Sequence, residues 1–327
     1  MTQRRQWLLA CALDALWLMD ARAAGPPPGR RRLGVLLFDN QRSWAWLRPE
    51  LRQSLAGFGW VEGSNLSIEW HYAEGDPERL APLAAALVGS GVDAILTRGS
   101  PATRALQRAT RSVPIVTGVG DPLGSGFAET LARPGGNITG VSYAVVETAR
   151  KQLELLREMV PGLARLSIVR KGERQSSATE GTRVVEAIAR EYALATRVVA
   201  MSRAEDLSRE MPRMTGKGAH AAYVFGFGMD PDPKAVAAAL VRARVPAVFP
   251  QREYIEAGGL MSYRLDWDDQ TRRSAAQIDK VLRGESPAQI PFEFPTHSDF
   301  VINAGTARAL GLKIPPALRV RADEVIE

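Results

Sequence analysis

The sequence is poor in the residues that most often carry metal or nucleophilic chemistry. It has a single cysteine, Cys11, and three histidines, His71, His220 and His297. No two of the histidines have the spacing of metal ligands on one element. Removal of a leader containing Cys11 would leave no disulfide, no thiolate metal site and no cysteine nucleophile. We therefore predict no metal and no cofactor.

The sequence also lacks the nucleotide-binding and hydrolase motifs of common enzymes. There is no Walker loop, and the glycines at 118, 120 and 124 are one residue out of register for a dinucleotide fingerprint. His297, Ser298 and Asp299 have the residue types of a catalytic triad, but neighbours in sequence point apart. We therefore predict no enzymatic activity, and a cytoplasmic enzyme on a doubly wound fold is the weakest alternative.

Long apolar runs are absent except near the N-terminus. Positive charge precedes a mainly apolar stretch over Trp7–Met19, and the small residues Ala21 and Ala23 follow it. This layout is typical of a secretory signal peptide, which we expect to end at residue 23 and to be followed by a linker over 24–32. An amphipathic N-terminal helix is the alternative. No other run approaches the roughly 20 apolar residues of a membrane span.

Charge of one sign is not concentrated anywhere in the body of the chain. The 42 Lys and Arg residues are dispersed among 36 Asp and Glu, which leaves a formal charge of +6. A dispersed excess of this kind is typical of a solvated surface, so we predict no nucleic-acid partner. The 327 residues, 45% of them hydrophobic, suffice for two lobes with a core each.

Strand and helix patterns alternate along most of the chain, which predicts parallel sheets flanked by helices. A continuous apolar run such as Leu33–Phe38 is typical of a strand buried on both faces. The alternation restarts near residue 144, which favours two doubly wound lobes joined by a multi-strand hinge. We assign residues 33–143 and about 260–290 to the first lobe, and 144–259 and about 291–327 to the second.

A turn rich in small and hydroxyl residues follows the third predicted strand. Open α/β sheets bind ligands beyond the carboxyl ends of their strands. Gly99 lets the backbone approach a ligand, and Ser100 and Pro101 suit the start of a helix. With the hydroxyls of Thr97 and Thr103, the free amides there favour an anion such as a carboxylate. A plain helix cap is the alternative.

An acidic turn follows the fourth predicted strand. Asp121 stands at the strand end, before Pro122, where its carboxylate could accept a cationic amine. An ordinary Asp-Pro turn is the alternative. An anion-binding turn beside an acidic turn fits a zwitterion such as an amino acid.

Aromatic and charged residues at other strand ends complete the candidate site. Trp44 lies in the loop after the first strand, where a tryptophan can stack on a flat ligand. In the alternative, Trp46 packs inward and only Trp44 is exposed. The remaining candidates lie at the lobe boundary and at strand ends of the second lobe: Tyr143, Arg170, Phe227 and Glu253.

Several ordered blocks together resemble the ABC transporter substrate-binding family, which includes tryptophan-binding members. The resemblance covers about the whole chain beyond the leader. The blocks are Pro114–Val116, Gly120–Pro122, Leu131–Gly140, Gln152–Leu156, Val160–Gly162, Arg252–Tyr263 and Ile302–Glu327.

The resemblance implies a type I periplasmic-binding fold that holds a small molecule in a cleft between its lobes. It also implies a periplasmic location and a separate permease and ATPase, with membrane contact only through the permease. We expect a monomer that binds an amino acid or a related carboxylate; a sensor acting through a signalling partner is the alternative. In the family, the turns that match Gly99–Thr103 and Asp121–Pro122 line the cleft. Two places depart from the family pattern, Arg170–Glu173 and Arg264, and leave the solute undetermined.

Overall fold

A computed structural model describes residues 29–171, 176–213, 216–225, 232–295 and 298–327. The predicted signal peptide, Phe227 and His297 lie outside these residues. The helices of the described part are α1 (Leu47–Gly57), α2 (Leu80–Gly89), α3 (Ser100–Ala109), α4 (Val145–Met159), α5 (Ser176–Glu191), α6 (Glu205–Glu210), α7 (Pro233–Arg242), α8 (Glu253–Glu256), α9 (Trp267–Leu282), α10 (Ala304–Ala309) and α11 (Pro316–Arg321). Short 3₁₀ turns cover Pro77–Arg79, Met211–Arg213 and Pro287–Gln289.

The first sheet is wholly parallel, with the strand order β2-β1-β3-β4-β5. Its central strands are buried on both faces because α1 and α9 cover one side and α2 and α3 cover the other. Continuous apolar runs therefore form these strands, as in other parallel sheets. The strands are β1 (Arg31–Leu37), β2 (Leu66–Tyr72), β3 (Ala94–Arg98), β4 (Ile115–Val119) and β5 (Ile138–Ser142).

The second sheet has the order β12-β11-β10-β9-β8-β6-β7, with one antiparallel pair, β10 and β11. Read from β7, its first five strands repeat the order of the first sheet. Its two faces carry separate apolar cores. The strands are β6 (Leu163–Lys171), β7 (Ala195–Met201), β8 (Ala219–Val224), β9 (Ala247–Phe249), β10 (Met261–Leu265), β11 (Ser298–Asn303) and β12 (Glu324–Ile326).

These two sheets confirm the predicted fold class of two parallel-sheet α/β lobes. The chain passes between them after β5, after β10 and again between residues 293 and 298. Before the last passage, Glu293 still pairs with β5: its amide donates to Gly140 O at 3.0 Å and its carbonyl accepts from Ser142 N at 2.8 Å.

The second passage lies later than the sequence predicts. Residues from about 260 were assigned to the first lobe, but Met261–Leu265 pairs with β9 and β11 in the second sheet. The first lobe resumes only at α9, which Asp266 caps by accepting from the amide of Asp268 at 2.8 Å. The Nε1–H of the buried Trp60 donates to Asp279 on α9 at 2.8 Å and holds this helix on the first lobe.

No helix of the described residues is both long enough and apolar enough to cross a lipid bilayer.

Candidate functional site

A cavity, partly open to solvent, lies where strand ends of the two sheets meet; its empty space of about 620 Å³ includes open solvent. Most side chains around it stand at the carboxyl ends of strands or begin the next helices, which is where open α/β sheets bind their ligands. The first lobe contributes Tyr143, Trp267 and Gln270, and the second contributes Gln152, Tyr223, Phe225, Tyr263 and Arg264.

An aromatic cluster forms the first-lobe wall of the cavity. The Trp267 ring lies 5.5 Å from the Tyr143 ring, edge to face, and 6.1 Å from the Trp46 ring. Tyr143 crosses Gly118 so closely that a Cβ there would lie 2.2 Å from its hydroxyl oxygen. Burial raises the pKa of Tyr143, and the positive charge of Arg98 and its hydrogen bond to the Tyr143 hydroxyl offset only part of this rise. The hydroxyl therefore stays neutral at physiological pH.

A buried hydrogen-bond network forms the opposite wall. The Gln152 side-chain amide donates to the Tyr263 carbonyl oxygen at 2.6 Å, and the Tyr223 hydroxyl donates to Gln152 Oε1. Burial raises the pKa of Tyr223, which keeps it in its donating form. Because every member of a buried network of this kind needs its partner, the network fixes the positions of both tyrosines.

The cavity is apolar and carries little charge. Among its described lining residues, Arg264 alone is charged, and Asp299 lies 3.5 Å from its guanidinium. Phe225 adds a second aromatic ring from β8, in contact with α5. A Cβ on Gly181 of that helix would lie 2.0 Å from the Phe225 ring, so glycine leaves room for it.

The loop after β1 exposes Trp46 more than Trp44, whose ring lies 5.9 Å from that of Trp46 and whose contact with a ligand stays a prediction. Trp44 is half-buried against the core of the first lobe. Trp46 is 38% exposed and belongs to the cluster with Trp267. The predicted alternative, in which Trp46 packs inward, is therefore reversed. Both tryptophans precede α1, and the turn over residues 41–46 sets which of them faces the core.

The segment from the end of β3 to the start of α3 has two buried threonines and a half-buried turn between them. The Thr97 hydroxyl donates to Leu36 O at 2.7 Å, and the Thr103 hydroxyl donates to Gly99 O at 2.9 Å. Both threonines are fully buried and their hydroxyls brace the lobe, and their contact with a ligand stays a prediction. Gly99, Ser100 and Pro101 are half-buried at the start of α3, and Gly99 adopts a φ of 85°.

The acidic turn after β4 is exposed at the edge of the first sheet. Asp121 accepts a hydrogen bond from the Gly124 amide at 2.8 Å. Pro122 is buried, and its carbonyl oxygen accepts from the Phe127 amide at 2.9 Å. The carboxylate of Asp121 thus shapes its own turn, and its contact with a ligand stays a prediction.

We expect Asp121→Asn and Asp121→Ala each to weaken solute binding by more than about tenfold, because both remove the charge that would meet an amine. Asn keeps an acceptor for the Gly124 amide, so Asp121→Asn should melt close to the wild type. Calorimetric titration measures the affinities. Wild-type affinity in Asp121→Asn would assign this residue to its turn alone.

The second-lobe candidates lie away from the cavity wall or outside the described residues. Arg170, near the end of β6, is half-buried and interacts within the fold. Glu253 begins α8 and is exposed, whereas Pro250 and Gln251 just before it line the cavity. Phe227 is not described.

Several lining residues were missed although the strand-end rule could have found them. Tyr223 and Phe225 occupy the carboxyl end of β8. Trp267 lies two residues after the end of β10. It was missed because the sequence pattern predicts that this strand ends at residue 263. Gln152 lies inside α4, where a buried glutamine gives no sequence signal of its own.

The described residues hold no group of three or more His, Cys, Asp or Glu side chains suited to a metal ion. His71 pairs with Glu69 at 2.7 Å on β2. His220 lies near the amino end of β8 and contacts the Ser167 hydroxyl at 2.9 Å. Neither histidine lines the cavity.

Two parallel-sheet lobes with a cavity at their facing strand ends define the architecture of type I periplasmic binding proteins. The chain belongs to the family of ABC transporter substrate binding proteins, whose family model matches residues 37–326.

Relatives of the chain include proteins that bind aromatic amino acids. It is 22% identical to a tyrosine-binding protein of Clostridioides difficile over 276 residues, which cover 81% of this chain and 78% of that protein. It is 26% identical to an ABC domain from Streptococcus pneumonia, solved in complex with L-Trp, with a TM-score of 0.74 over 91% of this chain and 100% of that one. A conserved domain protein from Vibrio cholerae has the same fold, with a TM-score of 0.75, 23% identity and coverage of 90% and 99%.

Proposed function

We propose that the chain is an exported receptor that captures an aromatic amino acid and delivers it to the permease and ATPase of an importer. The observation that carries this proposal is the cavity between the lobes, with Tyr143 and Trp267 on one wall and Tyr223 and Phe225 on the other. Aromatic walls with few charges favour a flat, apolar side chain. The names of two relatives, one tyrosine-binding and one holding L-Trp, support the same solute class.

Capture requires the lobes to close around the solute. Three chain passages join the lobes, so a hinge rotation can change their separation without disturbing either sheet. A solute that touches both walls binds the closed form better than the open form and so shifts the population toward it. The permease would then distinguish loaded from unloaded receptor by the relative position of the lobes.

Export follows from the leader. An apolar stretch preceded by positive charge and followed by Ala21 and Ala23 directs a chain across the bacterial inner membrane. We therefore place the working protein in the periplasm, with a mature N-terminus near Ala24. N-terminal sequencing of the cell-fractionated protein tests this, and a full-length chain in the cytoplasm would contradict it.

A thermal-shift screen of the purified protein tests the solute class. A ligand at 100 times its Kd adds about 2.7 kcal/mol to the stability of the form that binds it, which raises Tm by several degrees. We expect L-tyrosine, L-tryptophan or L-phenylalanine to raise Tm, and glycine and simple sugars to leave it unchanged. If only sugars raise Tm, the solute is a sugar and the proposal of an aromatic amino acid is wrong. If no solute in the screen raises Tm, the receptor function is overturned.

A further inference from the structure

Arg98, the last residue of β3, carries a buried positive charge. Arg98 is only 2% exposed, yet it takes part in none of the ion pairs between described residues. One nitrogen, Nη2, donates to the Thr271 hydroxyl at 3.0 Å. The other two, Nε and Nη1, are buried and have no acceptor in full hydrogen-bond geometry, although the Tyr143 hydroxyl lies close enough to interact with the guanidinium.

Burying a guanidinium with so few acceptors lowers the stability of the folded protein unless a ligand supplies the missing ones. A buried guanidinium is stable when a carboxylate or a set of hydrogen-bond acceptors replaces its lost hydration. The Thr271 hydroxyl accepts from only one of five N–H groups. The Trp46 ring, 5.8 Å from the guanidinium carbon, adds a cation–π contact but no acceptor. The described residues therefore leave this guanidinium able to bind a further acceptor.

The groups around the guanidinium belong to the cavity wall. Tyr143 lines the cavity and lies within the electrostatic reach of Arg98. Thr271, which holds Nη2, is the neighbour of Gln270, and Gln270 also lines the cavity. Gln270 Oε1 is a buried acceptor without a hydrogen-bond partner. The wall that holds Tyr143 and Gln270 is therefore joined to Arg98 through Tyr143 and Thr271.

The charge available at this wall fits a monoanion. Arg264, the charged residue among the described lining, is already neutralised by Asp299. Arg98 is the remaining charge among the described residues at this wall, and its planar guanidinium can donate to a carboxylate through Nη1 together with the second N–H of Nη2. A doubly charged phosphate would bring one negative charge more than this wall can pair.

We propose that Arg98 binds the carboxylate of the aromatic solute, whose ring lies among Trp46, Tyr143 and Trp267. This assignment rests on the proposed function. It names Arg98 as the group that makes the receptor prefer amino acids with a free carboxylate. Trp46 is 38% exposed and covers the guanidinium, so it is the member of the cluster that moves when the acid enters.

Pairs of acids and amides test the assignment. Calorimetry on the mature protein compares L-tyrosine with L-tyrosinamide and L-tryptophan with L-tryptophanamide, which differ only in the carboxylate. We expect the wild type to prefer each acid by at least about 30-fold, the loss typical of a buried charge deprived of its partner. Arg98→Met should bind acid and amide alike. Arg104→Met, which removes a charge elsewhere on the same lobe, should keep the preference.

Two further measurements keep the test decisive if Arg98→Met binds weakly. Its unliganded Tm should equal or exceed that of the wild type, because a buried positive charge has been replaced by an apolar chain of similar length. Arg98→Lys should keep a weaker preference for the acid, since the charge stays but the planar fork is lost.

Arg98 would be excluded by a wild type that binds the amide as well as the acid, or by an Arg98→Met that keeps the acid preference. A wild type that binds only solutes without a carboxylate would also exclude it, while leaving the receptor function intact. Binding of no solute at all would instead overturn the receptor function itself.

Discussion

Trp267→Ala should weaken the binding of an aromatic amino acid by about 100-fold, the effect expected when a central aromatic contact is removed. Trp267 lines the cavity, and its ring contacts the rings of both Tyr143 and Trp46. Its loss removes the stacking surface and frees both neighbours. The Asp266 cap of α9 is unaffected, because it bonds to the amides of Asp268 and Asp269.

Trp70→Ala is the matched control for this variant. Trp70 is a half-buried tryptophan on β2, at the edge of the sheet opposite β5, where it stacks on Tyr72 at 6.4 Å. Calorimetric titration should give an affinity close to the wild type for Trp70→Ala and a large loss for Trp267→Ala. Equal affinities in the two variants would remove the aromatic cluster from the site.

Gly140→Ala should lower the free energy of unfolding of the first lobe by about 3 kcal/mol or more, at the upper end of overpacking effects. Gly140 lies in β5, where an added Cβ would stand 1.8 Å from the carbonyl oxygen of Thr117 in β4. A backbone oxygen cannot turn away as a side chain can. The two strands must therefore separate, which also disturbs the Glu293 amide bonded to Gly140 O.

Gly136→Ala, four residues earlier, is the control because its Cβ would meet nothing within 4 Å. All tryptophans of the described residues belong to the first lobe, so urea unfolding followed by tryptophan fluorescence reports on that lobe: Trp44, Trp46, Trp60, Trp70 and Trp267. We expect the midpoint of Gly140→Ala to fall and that of Gly136→Ala to stay. Similar midpoints would show that β4 and β5 tolerate the added methyl group.

The architecture could be predicted from local patterns because parallel strands buried on both faces must be apolar throughout. The run Leu33–Phe38 and the alternation of strand and helix signals carry this information without any tertiary contact. Short helices and strands could not be predicted from such patterns. The four-residue α8 and the C-terminal β12 are stabilised by packing on the second lobe, and their sequences have too few residues to show a period.

The site was harder to predict than the fold. The rule that ligands bind at strand ends led to the edge of each sheet where the cavity lies, but it does not say which side chains point inward. Thr97 and Thr103 satisfy their hydroxyls within the lobe, and Trp46 is more exposed than Trp44. The burial of Arg98 could not be predicted, because the sequence around a lone arginine at a strand end does not show whether its side chain is solvated or buried.

The most direct test of the account is a crystal structure of the mature protein grown with the tightest-binding aromatic amino acid. The account predicts one solute between the lobes, its ring beside Tyr143 and Trp267, its far side against Tyr223 or Phe225, and its carboxylate on Arg98. A solute that contacts a single lobe, or that leaves the guanidinium of Arg98 without an acceptor, would contradict it.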